Sequence, residues 1–107
     1  MSSSKDDKLQ ELAGFEATLN KVISQKFSCQ NELLEVESAL EELKSSDDNY
    51  KIVGNILIKT DKKRLESDLV DTKKILSQRF SHLEKEQSKL EVKAERLQSN
   101  LMKELGD

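Results

Sequence analysis

The chain has 107 residues and a net charge of −3; 35% of its residues are hydrophobic, 36% charged and 4% aromatic. A globular domain is about 45–50% apolar and about 25% charged, so a thick single core is excluded and long amphipathic helices are favoured. The longest apolar run, Ile56-Leu57-Ile58, is far too short to span a membrane, the negative net charge offers nucleic acid no overall basic field, and one cysteine forms no internal disulfide, which suits a reducing cytosol.

The segment Met1-Ser2-Ser3-Ser4-Lys5-Asp6-Asp7 has no apolar core and does not read as a signal peptide. A helix is predicted over about 7–44. Ser4 or a neighbour supplies its cap, and Asp6 and Asp7 complement the helix dipole. Leu12, Phe15, Leu19, Val22, Lys26, Cys29, Leu33, Val36, Leu40 and Leu43 alternate in steps of three and four. A mean repeat of 3.5 held over four heptads is a coiled-coil seam, narrower than an ordinary amphipathic stripe. Lys26 alone breaks it. Its stem is expected to pack on Leu83 while its ammonium snorkels to Glu86 or water, or it acts as a polar device that sets register.

Ser45-Ser46-Asp47-Asp48-Asn49 is a turn signal. The β-branched stretch that follows, to Thr60, carries Gly54-Asn55 between two short runs and predicts a β-hairpin over about 49–60. A two-residue turn pairs Val53 with Ile56, Ile52 with Leu57 and Lys51 with Ile58. Val53, Ile56 and Ile58 then share one face, and Tyr50, Ile52 and Leu57 the other. Both faces are apolar and both edges are unpaired. An isolated hairpin is marginal in water and free edges recruit other strands, so the hairpin is expected to be completed by other subunits in an obligate oligomer.

A second helix is predicted over about 61–105, capped by Thr60 or Asp61 and closed near Gly106. Lys62-Lys63-Arg64 puts three cations in its first turn, against the dipole. Leu69, Leu76, Leu83, Leu90 and Leu97 recur by sevens. Neither the row three residues on (Thr72, Arg79, Glu86, Lys93, Asn100) nor the row four residues on (Lys73, Phe80, Gln87, Ala94, Leu101) completes a clean self-paired zipper. Reflection about Gly54-Asn55 does better: Leu43 meets Leu65, Leu40 meets Leu69, Leu33 meets Leu76, Leu19 meets Leu90, Phe15 meets Ala94 and Leu12 meets Leu97. The predicted architecture is mainly α: an antiparallel coiled coil of two helices, about 57 and 68 Å long at about 1.5 Å per residue, joined by the central hairpin in a single unit over 1–107.

In that arrangement both chain ends lie at the end of the coil away from the hairpin, where Leu9, Leu12, Phe15, Leu97, Leu101, Met102 and Leu105 cluster. All seven are candidates for contact with a partner at this tip; Leu12, Phe15 and Leu97 also have partners across the seam, and packing in the coil is weighed above contact for them. Leu9, Leu101, Met102 and Leu105 are expected to be exposed at a fraying end, where adaptable side chains such as Met102 suit varied partners.

No catalytic constellation is expected. His82 is alone and reads as a surface residue, and Cys29 is a small buried hydrophobe in the seam. One His and one Cys cannot build a metal site of the usual ligand count, and no glycine-rich phosphate loop is present. The carboxylates read as a solvated face paired with lysines, and Lys62-Lys63-Arg64 as solvated or subunit-facing rather than RNA-binding.

Helix, a central Tyr50-Lys51-x-Val53-Gly54-x-x-Leu57-x-Lys59 hairpin, and helix resemble the β-class subunit of prefoldin, and Ala39-Leu40-Glu41-Glu42-Leu43 resembles the end of that subunit's first helix. The single hairpin resembles the β rather than the α class, and the short chain the archaeal type. The resemblance implies a cytoplasmic hexamer of two α and four β subunits. In it, Tyr50, Ile52, Val53, Gly54, Asn55, Ile56, Leu57 and Ile58 would join an intersubunit β-barrel platform. The coil tips would hold non-native proteins without ATP or cofactor and pass them to the group II chaperonin, with no nucleic acid, membrane or metal involved. A structural coiled-coil adaptor is the alternative; suppression of client aggregation separates the two. Replacing the one polar residue of the first helix's seam, Lys26→Leu, is expected to raise the melting temperature, by about 1 kcal/mol of added stability, in a thermal melt followed by circular dichroism.

Overall fold

A computed structural model describes residues 4–106. Its elements are α1 (Ser4–Leu43), β1 (Asn49–Val53), β2 (Ile56–Thr60) and α2 (Lys62–Gly106). The two long helices pack antiparallel and the hairpin lies between them in the chain. Ser4 is itself helical rather than the cap of α1, so that cap falls outside the described residues, as do the ends of the expected 1–107 unit. Gly106 is still helical and, unlike Gly54, lacks a positive φ; the expected left-handed cap does not form there.

In α1 all ten expected seam positions are buried or half-buried, with Ala39 beside them, and Lys5 and Lys8 carry the same spacing towards the N-terminus. In α2 the buried or half-buried residues are Leu65, Leu69, Leu76, Leu83, Leu90 and Leu97, the row Lys73, Phe80, Gln87, Ala94 and Leu101, and Lys62, Glu86 and Glu104. The row four residues after each leucine is therefore the second seam row. In the row three residues after, Thr72, Arg79, Lys93 and Asn100 are exposed and Glu86 alone is half-buried.

The described chain forms two compact units. In the hairpin unit (Ser28–Phe80) the helices are joined by Cys29, 2% exposed, whose Sγ donates to the Leu76 carbonyl at 3.2 Å. Lys73 pairs with Glu37 at 3.8 Å. Helix α1 has no basic residue in its last turn, and its final carbonyls need donors. Backbone N–H groups of Lys44, Ser45 and Ser46 reach back to Glu41, Glu42 and Leu43. The Lys62 ammonium donates across to the Lys44 carbonyl at 3.1 Å. Lys62 disfavours its own helix start but supplies the positive charge that the end of α1 lacks, which resolves the mismatch seen in the sequence. At the start of α2, the Leu65 N–H bonds the Asp61 carbonyl at 3.0 Å, so Asp61 is the capping residue.

β1 and β2 pair antiparallel in the expected register: Val53 with Ile56, Ile52 with Leu57, Lys51 with Ile58, and outward to Asn49 with Thr60. Gly54 has φ +63° and no other described residue has a positive φ. A positive first and negative second central residue define a type II′ turn, whose twist matches that of the strands.

In the other unit, formed by the described parts of Met1–Phe27 and Ser81–Asp107, antiparallel pairing is marked by an ion pair of Lys8 with Glu104 and by a polar layer around Lys26. The Lys26 ammonium donates to Gln87 Oε1 at 3.2 Å and lies 3.5 Å from Glu84 Oε1. Gln87 in turn donates to Glu91 at 2.8 Å. The ammonium expected to reach Glu86 or water is met by Gln87 and Glu84. At 100° per residue these two stand on one flank of α2 and Glu86 on the other.

Nothing lies within 4 Å of a Cβ built on Gly54, so substitution there tests backbone conformation alone. Gly54→Ala is expected to destabilise the hairpin by about 1–2 kcal/mol, seen as faster amide exchange in β1 and β2, with the helical signal retained.

Candidate functional site

The hairpin places its apolar residues on both faces, as alternation requires, and covers neither. Tyr50, Ile52 and Leu57 on one face and Val53, Ile56 and Ile58 on the other are between 46% and 72% exposed. Burial is confined to the base, where Asn49 is buried and its partner Thr60 half-buried. Lys51 shares a face with Ile58, and Lys59 shares one with Tyr50 while its ammonium stands 3.6 Å from Asp48. Two apolar faces and two strands with open edges, on a sheet of two strands, make a surface suited to more strands rather than to a small ligand.

The residues expected at the chain ends separate by their place relative to the seam. Leu12 and Phe15 are half-buried and Leu97 is buried, as their seam positions require. Leu101, expected to be exposed, is buried at 3%. It stands four residues after Leu97 and continues the second seam row of α2, so it is a packing residue. Leu9 (49%), Met102 (67%) and Leu105 (66%) are exposed, each one position off the seam defined by Lys8, Leu101 and Glu104. Lysine stems and a glutamate thus occupy the last seam positions, and the apolar side chains beside them face water.

Other apolar side chains stand off the seam and outside its spacing. Ile23, Phe27 and Val92 in one unit and Leu34, Val70 and Ile75 in the other are exposed. Their departure from the three-four spacing is the signal that marks them. His82 is exposed. Among the described residues no cluster of three His, Cys, Asp or Glu could hold a metal ion, and no helix is long and apolar enough to cross a membrane.

A sequence profile of the prefoldin subunit family matches residues 6–107. The chain is 37% identical over 97 residues to the prefoldin subunit beta of Sulfurisphaera tokodaii, an alignment covering 88% of this chain and 75% of that protein. It is 36% identical over 92 residues to that of Thermococcus onnurineus, covering 83% and 79%. Its fold is similar to the crystal structure of the prefoldin beta subunit from Thermococcus strain KS-1, with a TM-score of 0.88 and 29% identity over 97% of this chain and 94% of that one.

The contrast between neighbouring residues at the end of α2 is directly measurable. Leu101→Ala is expected to lower stability by about 2–4 kcal/mol, and Met102→Ala by less than about 0.5 kcal/mol, in paired denaturant titrations.

Proposed function

The chain belongs to the prefoldin subunit family, a family of non-enzymatic chaperones, and is similar to its β subunits; from that premise we propose that it holds non-native proteins, without ATP, as one subunit of a cytoplasmic hetero-oligomer. The proposed assembly contains two α-class and four β-class subunits, and the proposed recipient of the client is the group II chaperonin.

The observation that carries this reading is the hairpin with both faces exposed. Six large apolar side chains on a two-stranded sheet are a liability in a lone subunit and a ready surface for assembly. Tyr50, Ile52, Val53, Ile56, Leu57 and Ile58 are the proposed contacts between subunits, with Gly54 and Asn55 as the turn that sets their register. Joining several subunits in one body gives each client contact the benefit of the others through effective concentration, so weak individual contacts suffice.

The proposed client contacts are Leu9, Met102 and Leu105, which are apolar, exposed and close in the antiparallel pairing that brings Lys8 to Glu104. Leu12, Phe15, Leu97 and Leu101 form the packed layer beneath them. Release needs no covalent step, because a contact of a few side chains at each end is readily reversed.

The test is suppression of aggregation of a denatured protein by the complex reconstituted with an α-class subunit. Leu9→Ser, Met102→Ser and Leu105→Ser combined are expected to leave assembly and melting temperature unchanged while reducing suppression about tenfold, equivalent to losing roughly 1.4 kcal/mol of binding. Ile52→Asp with Ile56→Asp is expected to abolish assembly on ultracentrifugation and leave the helices folded. A complex that assembles but suppresses no aggregation would instead identify a structural adaptor.

A further inference from the structure

Charge in α2 is sorted by face in a way that neither packing nor client holding requires. Lys85, Lys89, Lys93, Arg96 and Lys103 follow one another at spacings of four, four, three and seven. All five are exposed. At 3.6 residues per turn they fall on one side of the helix, turned away from the buried Leu83, Leu97 and Leu101. Of the carboxylates of the same stretch, Glu84 pairs with Lys26, Glu91 accepts from Gln87 and Glu104 pairs with Lys8, Glu86 is half-buried, and Glu95 is exposed on the flank of the face, where it lines a hollow with Lys103. None of the five cations forms an ion pair with a described residue. A chain of net charge −3 therefore concentrates five cations along one helix face, with Glu86 and Glu95 at its flanks.

An aliphatic side chain sits within that face. Val92 is 45% exposed and shares with Ser88, Lys89, Lys93 and Arg96 an open hollow of about 320 Å³. Small serine and valine side chains on the floor and long cations at the rim leave room for one apolar residue of a partner, with carboxylates about one helical turn to either side. No aromatic residue lies between Lys85 and Lys103, so the face lacks the stacking platform that single-stranded nucleic acid binders use.

We propose that this face of α2 docks an acidic helical segment of a partner protein, with glutamates or aspartates at i, i+4 and i+7 against Lys89, Lys93 and Arg96 and one aliphatic residue over Val92. The mode is an amphipathic helix laid on a helix face. Affinity comes from several exposed ion pairs, each weak, acting together, and the charge pattern supplies selectivity and rate more than strength. The interaction weakens steeply with salt, because every contributing charge is solvent-exposed. The proposal is independent of client holding, since it uses none of Leu9, Met102 and Leu105.

The experiment uses the full-length chain, assembled with its α-class partner. Its probes are a fluorescent helical peptide bearing that glutamate-leucine pattern, the same peptide with glutamine for glutamate, and a single-stranded oligonucleotide. Fluorescence anisotropy is expected to show binding of the acidic peptide at low salt, at least tenfold weaker binding of the glutamine peptide, and loss of binding at high salt. Lys89→Gln, Lys93→Gln and Arg96→Gln combined are expected to weaken the acidic peptide about tenfold with an unchanged circular dichroism spectrum and unchanged aggregation suppression. Lys63→Gln, outside the face, serves as the control and is expected to bind as wild type. The proposal is overturned if the acidic and glutamine peptides bind equally, if the triple variant binds like wild type, or if the oligonucleotide binds tighter than the acidic peptide, which would make the face a nucleic-acid surface.

Discussion

In each compact unit, apolar side chains leave water chiefly along one line, the seam between two helices. A helix pair has no third element to close over the remaining surface, so a residue is buried by standing on that line and exposed by standing one position beside it. Leu101 and Met102 are adjacent in sequence and differ from 3% to 67% in exposure for that reason alone. The same constraint explains the hairpin. Its two strands meet no helix face broad enough to cover either side, and its apolar residues stay in water in the single subunit.

Within that constraint the polar exceptions are organised. Lys26 stands where an apolar residue would pack better, and its ammonium is met by Gln87 and Glu84, so the charge is solvated by the facing helix rather than stranded. Lys62 works against its own helix dipole but caps the other helix. In both cases a residue that is unfavourable by its local rule is matched across the pair. Local sequence rules count only neighbours along the chain, and an antiparallel pair adds neighbours that the rules do not see.

Much of the fold was legible in advance. The three-four alternation from Leu12 to Leu43 marked the seam of α1, because burial along a two-helix line leaves a strict period. Gly54-Asn55 between β-branched runs gave the hairpin register, because a two-residue turn permits one pairing only. The candidate surfaces were harder to read. The second row of α2 could have lain three or four residues after each leucine, since both rows mix polar and apolar residues. Choosing the row four residues on is what moves Leu101 into the seam and leaves Met102 outside. The sorting of cations to one face of α2 was also hidden, because whether a carboxylate neutralises a neighbouring lysine depends on which side of the helix it reaches.

The type II′ turn leaves the hairpin with two bare faces, which in the proposed assembly stay open until partner chains arrive. A folded but unpartnered subunit displays a band of contiguous aliphatic side chains with free strand edges, which is the chemical signature by which a misfolded polypeptide is recognised. Under the proposed assembly its persistence depends on the supply of partner chains, and synthesis in excess of them produces an orphan that is folded yet resembles, on that surface, damaged protein.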